Sequence, residues 1–179
     1  MRELELDVEI PAMSIKGDAS NIVVYGASGF KLKSLKLNMN NFFMEMVLLI
    51  PKLTISADFD STGTKVAGVE TSGSGQFKAT LYDTTATIKS YGHSVMRKKL
   101  EYSKVDDISI DIKFGNGEIN VDPDEKTVIT KTASSFVNSN PKMILDAMSP
   151  VINKAAAPVV QTYLSKVLNV VPLNDIFKW

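Results

Sequence analysis

The residues that could carry out chemistry are few in this 179-residue sequence, and they are not grouped. His93 is the only histidine, and it lies beside Gly92 and Ser94 in a polar segment that we interpret as a turn. A catalytic triad or a zinc site needs partner residues in a recognisable pattern, and none accompanies His93. The sequence therefore predicts a surface histidine and a protein that is not an enzyme.

Two acidic segments and one glycine-rich segment resemble binding motifs only superficially. Asp106-Asp107 and Asp122-Pro123-Asp124-Glu125 do not match the spacing of a calcium-binding loop, and turn formation explains them better. Gly26-Ala27-Ser28-Gly29 lacks the lysine and the following helix of a phosphate-binding loop, so we interpret it as a connection between strands. The chain has no cysteine, which excludes disulfides and thiolate metal sites. We therefore predict no metal and no cofactor.

The composition is that of an ordinary globular protein without a charge bias. Hydrophobic residues make up 44% of the chain and charged residues 22%, and the 20 basic residues balance the 20 acidic ones. A single domain over residues 1–179 is long enough to bury a core unaided. The densest basic stretch is Arg97-Lys98-Lys99, which we interpret as a solvated strand edge, so we predict no nucleic-acid partner. No apolar run approaches the roughly 18 residues of a membrane span, which predicts no stable membrane insertion.

The start of the chain, Met1-Arg2-Glu3-Leu4-Glu5, is charged and lacks the apolar stretch of a signal peptide. Two interpretations remain open from these residues. The protein is either intracellular or a mature form with an added initiator methionine.

Residues 30–121 alternate between apolar and polar side chains with the two-residue period of β-strands. The alternation slips near Ser34, Pro51 and Asp83, and each slip predicts a β-bulge that bends the sheet. Gly115-Asn116-Gly117 predicts a tight hairpin. Two strands of about 18 residues would each extend about 60 Å at about 3.3 Å per residue.

The last forty residues, from Asn140 onward, have the three-and-four apolar spacing of one long amphipathic helix. We predict that it runs from Lys142 to Asn169, bends at Pro150 and Pro158, and spans about 42 Å at about 1.5 Å per residue. Only a long sheet rolled around such a helix matches these lengths. The predicted fold class is therefore α+β, with a long, highly curved antiparallel sheet wrapped around one long C-terminal helix.

The strand and helix phases together predict thirteen apolar side chains that face a common interior. Methionine is flexible and alanine leaves volume, so this interior suits an adaptable ligand-binding lumen, although a densely packed core is what the residue types alone favour. Tyr163 is the expected polar contact to a ligand, and a core tyrosine bonded to water or a carbonyl is the alternative. The predicted ligand-binding residues are Phe42, Met44, Met46, Leu48, Leu53, Ile55, Phe77, Leu81, Ile88, Met148, Ile152, Val159 and Tyr163.

Three short motifs occur in the order and spacing of a known family. They are Pro51-Lys52-Leu53-Thr54-Ile55, Gly73-Ser74-Gly75-Gln76-Phe77 and Pro172-Leu173-Asn174-Asp175-Ile176-Phe177. With them, the chain resembles the insect Takeout and juvenile-hormone-binding protein family from about Ile10 to Phe177.

The resemblance implies the TULIP fold and a carrier that binds a hydrophobic small molecule, such as a terpenoid, a fatty acid or a quinone, in an internal tunnel. It also implies a secreted, monomeric protein, with a signal peptide that is not among these residues. Family members usually open with an extra helix and a cysteine pair that closes one end of the tunnel, and neither is found before Ile10. The resemblance favours a lumen over a solid core.

A second functional class remains open. An interaction protein would use an exposed apolar edge to meet a membrane or protein partner, and the residues that we expect to form such an edge are Phe43, Val47 and Trp179.

Overall fold

The computed structural model describes residues 4–10, 13–66, 68–124, 126 and 128–176. Within them, seven strands precede the helices. The strands are β1 (Leu4–Ile10), β2 (Met13–Tyr25), β3 (Lys31–Asn38), β4 (Phe43–Val66), β5 (Val69–Arg97), β6 (Leu100–Lys113) and β7 (Asn116–Pro123). The helices are α1 (Val128–Ser139), α2 (Pro141–Leu168) and α3 (Leu173–Ile176).

All seven strands belong to one sheet, and β4 and β5 are its central members. The order is β1-β2-β4-β5-β6, with β3 also paired to β4 and β7 also paired to β5. β4 has 24 residues and β5 has 29, so each can hold two partners along one edge. β7, for example, pairs antiparallel with β5 only between Gly75 and Tyr82.

The slips predicted at Pro51 and Asp83 are confirmed by the burial of the strands. In β5 the buried side chains are Ala79 and Leu81 before Asp83, then Ala86 and Ile88 after it, so the buried positions change from odd to even. Asp83 itself adopts a left-handed backbone, with φ of 51°. In β4 the opposite change, from even to odd positions, occurs between Leu48 and Leu53. The slip predicted at Ser34 stays a prediction, because β3 is exposed on both sides of that residue.

The structure corrects several element boundaries. β1 and β2 were not predicted as strands, although β1 alternates apolar and acidic residues and pairs with β2 from Leu4↔Ala19 to Ile10↔Met13. The predicted strand edge at Arg97-Lys98-Lys99 is wrong, because Lys98 and Lys99 form the two-residue turn between β5 and β6. α1 was also missed. Its sequence is rich in Val, Ile and Thr, which have weak helix propensity, and it forms where it can pack against β7.

α2 matches the predicted helix to within one residue at each end. It is continuous through Pro150 and Pro158, and both prolines lie on its exposed side, where a carbonyl that loses its intrahelical bond can be hydrated. The exposed line follows every fourth residue, through Lys142, Asp146, Pro150, Lys154, Pro158, Thr162 and Lys166. A step of four residues along an α-helix corresponds to a full turn plus about 40°. The exposed and buried lines therefore wind around the helix axis.

The chain divides into two compact units, each built from three segments. Unit 1 comprises residues 1–31, 49–85 and 113–151, and unit 2 comprises residues 32–48, 86–112 and 152–179. The prediction of a single domain over the whole chain stays a prediction.

The core of unit 1 is densely packed. Leu81, Ile144 and Leu145 are each less than 2% exposed. A methyl group added to Gly117 would lie 2.9 Å from the terminal carbons of both Leu81 and Leu145, so strand and helix touch at this glycine. Polar contacts reinforce the packing, since the Val121 N–H donates to Asn138 Oδ1 at 2.9 Å.

Replacing Leu81 with alanine should lower the free energy of unfolding by roughly 2–5 kcal/mol, because a fully buried leucine leaves both lost transfer energy and a cavity. The matched control is Leu37→Ala, whose side chain is 42% exposed and whose loss should cost under about 1 kcal/mol. Urea unfolding of both variants measures the difference. Equal losses would contradict the assignment of Leu81 to a dense core.

Candidate functional site

A cluster of apolar side chains in unit 2 forms the candidate site. Leu48, Ala86 and Ile88 are buried at its centre, and five further side chains pack against them while remaining partly accessible. We call these eight residues the unit 2 apolar cluster. The partly accessible members are Met46, Ile108, Ile110, Ile112 and Val160.

Strand alternation and one helix contact bring the cluster together. Met46 and Leu48 are two residues apart in β4, Ala86 and Ile88 are two apart in β5, and β6 supplies three isoleucines at the same spacing, so each strand directs one face to the cluster. The backbone N–H of Ile112 donates to Asn153 Oδ1 of α2 at 3.0 Å. Val160 lies about two turns further along the same helix.

The thirteen predicted residues have three different environments. Leu48, Leu53, Leu81 and Ile88 are buried. Seven others are half-buried, namely Phe42, Met44, Met46, Ile55, Phe77, Met148 and Ile152. Val159 and Tyr163 are exposed. The structure brings Met46, Leu48 and Ile88 together in the unit 2 apolar cluster, whereas Phe42 lies in the turn before β4 with φ of 48°. The binding role of all thirteen stays a prediction.

The predicted interior position of Tyr163 and Val159 is wrong. Tyr163 is 65% exposed and Val159 is 36% exposed. The predicted residues pass from Ile152 to Val159, seven positions and thus nearly two full turns, on a straight line along the helix. The partly buried line continues instead in steps of four through Ala156 to Val160. Because α2 is apolar on more than one side, spacing alone could not choose between these two lines.

Five members of the cluster were missing from the predicted binding residues, namely Ala86, Ile108, Ile110, Ile112 and Val160. Ile108, Ile110 and Ile112 alternate with polar residues within a predicted strand, and this pattern could have placed them beside Ile88. Val160 required the correct phase of α2. The sequence signal for the isoleucines was therefore present, and the signal for Val160 was not.

The buried parts of the chain offer few hydrogen-bonding side chains. Among the described residues, the buried polar ones are Thr84 and Ser90. The hydroxyl of Thr84, which follows the slip at Asp83, has no hydrogen-bond partner. An apolar surface with so few polar groups recognises a molecule mainly by size and shape.

A charged network joins three neighbouring strands of unit 2. Glu45 of β4 accepts a hydrogen bond from Lys36 of β3 at 2.8 Å and lies 3.6 Å from Lys89 of β5. The hydrogen bond from Lys36, together with the positive charges of Lys36 and Lys89, holds the pKa of Glu45 below its ordinary value of 4.5. The Glu45 side chain is 18% exposed, whereas that of Lys36 is 71% exposed.

His93 lies in β5 and not in a turn, but its predicted surface position is confirmed. Its Nδ1 atom is 2.6 Å from Asp106 Oδ2, and both side chains are about half exposed. Solvent screens such a pair, which therefore contributes little to stability.

The apolar edge that we expected is not where the sequence placed it. Phe43 is half-buried and stacks on Tyr91 with ring centroids 5.0 Å apart, Val47 is also half-buried, and Trp179 lies outside the described residues. Exposed apolar side chains occur instead on β3 and the residue after it, at Leu32, Leu35, Leu37 and Met39.

A depression at the start of α2 is formed by residues of unit 1. It is lined by residues 139–143, Asp146 and Ala147, and none of the thirteen predicted residues lines it. Over the described ranges, no group of three or more acidic, histidine or cysteine residues could hold a metal ion. In the same part of the chain, no helix has the length and apolar character to cross a membrane.

The long antiparallel strands followed by one long helix near the C-terminus match the predicted fold class, and comparison with known proteins identifies the family. The model of the haemolymph juvenile hormone binding protein family matches residues 1–178, and the chain belongs to that family. Its members are secreted proteins that bind hydrophobic ligands.

A solved structure agrees with the fold. Takeout 1 from Epiphyas postvittana superposes with a TM-score of 0.79 at 14% identity, covering 96% of this chain and 80% of that one. A lipopolysaccharide binding protein aligns with a TM-score of 0.39 at 11% identity, over 92% of this chain and 35% of its own. No curated protein sequence matches this chain significantly. The predicted α+β fold of the Takeout proteins is thereby confirmed.

The charged network predicts a pH dependence. The folded-state pKa of Glu45 is lowered, so its ionisation stabilises the fold above the unfolded-state pKa and ceases to do so as the pH falls through the folded-state value. Glu45→Gln should therefore be less stable than the wild type at pH 7, and the difference should disappear in acid. Added salt should also reduce it.

Urea unfolding of both proteins across this pH range measures the effect. A deficit that stays constant from pH 7 into acid would mean that the carboxylate charge is not what stabilises this face of the sheet.

Proposed function

We propose that this protein is a non-enzymatic carrier that binds one hydrophobic small molecule, such as a terpenoid, a fatty acid or a quinone, against the unit 2 apolar cluster. Membership of the juvenile hormone binding protein family supports the class of ligand. The observation that carries the proposal is the partial exposure of Met46, Ile108, Ile110, Ile112 and Val160 around a buried centre.

Partial exposure matters because apolar surface left in contact with water is the surface that a ligand can cover. Burying apolar area contributes about 25 cal/mol per Å², so five large side chains that retain accessible area offer a substantial favourable term. In unit 1, by contrast, Leu81, Ile144 and Leu145 have no such area to offer.

Because the buried residues offer few polar groups, we expect the protein to select a class of ligands and not a single compound. A site built to pair one specific oxygen or nitrogen can reject analogues strongly, whereas an apolar site separates molecules of similar size only weakly. We therefore propose a carrier with broad selectivity among lipophilic molecules of similar length. We further propose that it is secreted, in keeping with its family, and that it acts as a monomer.

The direct test is titration with the fluorescent fatty acid cis-parinaric acid at concentrations where the probe is monomeric. A saturable rise in probe fluorescence with one site per chain is the expected result. The same probe should raise the melting temperature, because a ligand that binds only the folded state adds about 2.7 kcal/mol at a hundredfold excess over Kd. The proposal would be overturned if the probe showed no saturable binding and did not raise the melting temperature.

Filling the cluster should weaken binding. Met46→Trp adds volume beside Leu48, Ala86 and Ile88, and should reduce parinaric acid affinity by about tenfold or more while costing less than the roughly 1–3 kcal/mol of overpacking a dense core. The matched control is Met39→Trp, because Met39 is 41% exposed and outside the cluster. Equal affinities for the two variants would exclude the cluster as the binding surface.

Tyr163→Phe should leave the affinity unchanged, because Tyr163 is 65% exposed and its ring lies 5.4 Å from Lys166 Nζ on the surface of α2. This reverses the role that spacing alone gave to Tyr163. The same fluorescence titration measures the affinity of this variant. A severalfold loss of affinity would show that the Tyr163 hydroxyl contributes to binding.

A further inference from the structure

The balanced charge of the chain conceals an uneven distribution between its two units. Unit 2 contains ten basic and six acidic residues, a formal charge of +4, whereas unit 1 contains ten basic and fourteen acidic residues, a formal charge of −4. A strong asymmetry within a neutral chain points to a charged partner for one part of it. The partner of unit 2 should be anionic.

The basic charge of unit 2 is densest at the turn between β5 and β6. Lys98 and Lys99 form the two-residue connection there, directly after Arg97. Exposed apolar side chains flank the turn, since Met96 is 68% exposed and Leu100 is 42% exposed. The hairpin tip therefore presents adjacent positive and apolar groups to solvent.

The end of α2 lies beside this tip. The Arg97 guanidinium donates a hydrogen bond to Asn169 Oδ1 at 3.3 Å, just beyond the last residue of α2. Val167 and Val170, on either side of Asn169, are 58% and 75% exposed. We call the surface formed by Met96–Leu100, Val167 and Val170 the basic-apolar tip.

The backbone of the turn is unusual for lysine. Lys98 and Lys99 have φ of 47° and 67°, the left-handed region that two-residue hairpin turns require at both central positions. Asn-Gly meets this requirement best, because a full side chain at positive φ is strained. The turn thus contains two lysines at positions where Asn-Gly would adopt the required backbone with less strain.

We infer that the basic-apolar tip docks reversibly on an anionic lipid bilayer. Lysine ammonium groups pair with lipid phosphates, while the exposed side chains of Met96, Leu100 and Val170 enter the boundary between headgroups and acyl chains. Charge complementarity selects this partner, since an anionic bilayer presents both a negative surface and an apolar layer directly beneath it. The inference is independent of the carrier proposal, because docking requires no bound small molecule.

Vesicle sedimentation tests the inference, with phosphatidylcholine vesicles containing about 30% phosphatidylglycerol compared with pure phosphatidylcholine. The full chain should bind the anionic vesicles, bind the neutral ones at least tenfold more weakly, and lose binding as salt is added. The key variant is Lys98→Asn with Lys99→Gly. Each lysine near an anionic surface contributes about fivefold to binding, so the double variant should bind about 25-fold more weakly.

This variant should also keep its fold, because Asn-Gly suits the turn and should raise the melting temperature. The charge-matched control is Lys78→Gln with Lys131→Gln, which removes two exposed lysines of unit 1 and should leave vesicle binding unchanged. A further variant, Met96→Ser with Leu100→Ser, should weaken binding to anionic vesicles while the lysines remain.

Three results would each overturn the inference. One is equal loss of binding in the Lys98→Asn/Lys99→Gly variant and in the unit 1 control. Another is equal binding of the wild type to neutral and anionic vesicles, which would indicate adsorption through apolar groups alone. The last is no vesicle binding at low salt, which would leave a protein with an acidic surface as the partner of the tip.

Discussion

The reversal of side-chain alternation at Asp83 is the constraint on which the remaining structure depends. A strand directs alternate residues to opposite faces, yet the buried apolar positions of β5 change from odd to even numbers, so the alternation is reset within its 29 residues. The left-handed backbone of Asp83 performs this reset directly after Tyr82, where pairing with β7 ends. Leu81 can then be buried in unit 1 while Ala86 and Ile88 are buried in unit 2. Without the reset, the candidate site would lose its centre.

Elements whose signal lies in neighbouring residues could be predicted from the sequence, whereas elements that depend on tertiary packing could not. The slips could be predicted because apolar residues change from even to odd positions at Pro51 and from odd to even positions at Asp83. α2 could be predicted because its 28 residues keep a helical period. α1 could not, since Val128–Ser139 has the residue types of a strand and becomes a helix through its packing on β7. Tyr163 was misplaced because α2 is apolar on several sides, and only tertiary packing selects the buried line. The interior isoleucines of β6 were predictable from alternation and were overlooked.

Some apolar residues of the chain are fully packed, whereas others remain accessible. Unit 1 buries Leu81, Ile144 and Leu145 almost completely, whereas unit 2 leaves the cluster partly accessible and exposes Met96 and Val170. A partly accessible apolar cluster and a basic-apolar tip in the same unit are what a carrier would need if it collects or releases its ligand at a membrane.

Native mass spectrometry of the gently purified protein tests the central claim most directly, because it detects any molecule held by the folded chain without assuming its identity. The carrier account predicts a population whose mass exceeds that of the chain by the mass of one lipid-sized molecule, and predicts that parinaric acid replaces this molecule one for one. A chain that carries no added mass, takes up no parinaric acid and forms a concentration-dependent dimer would contradict the account.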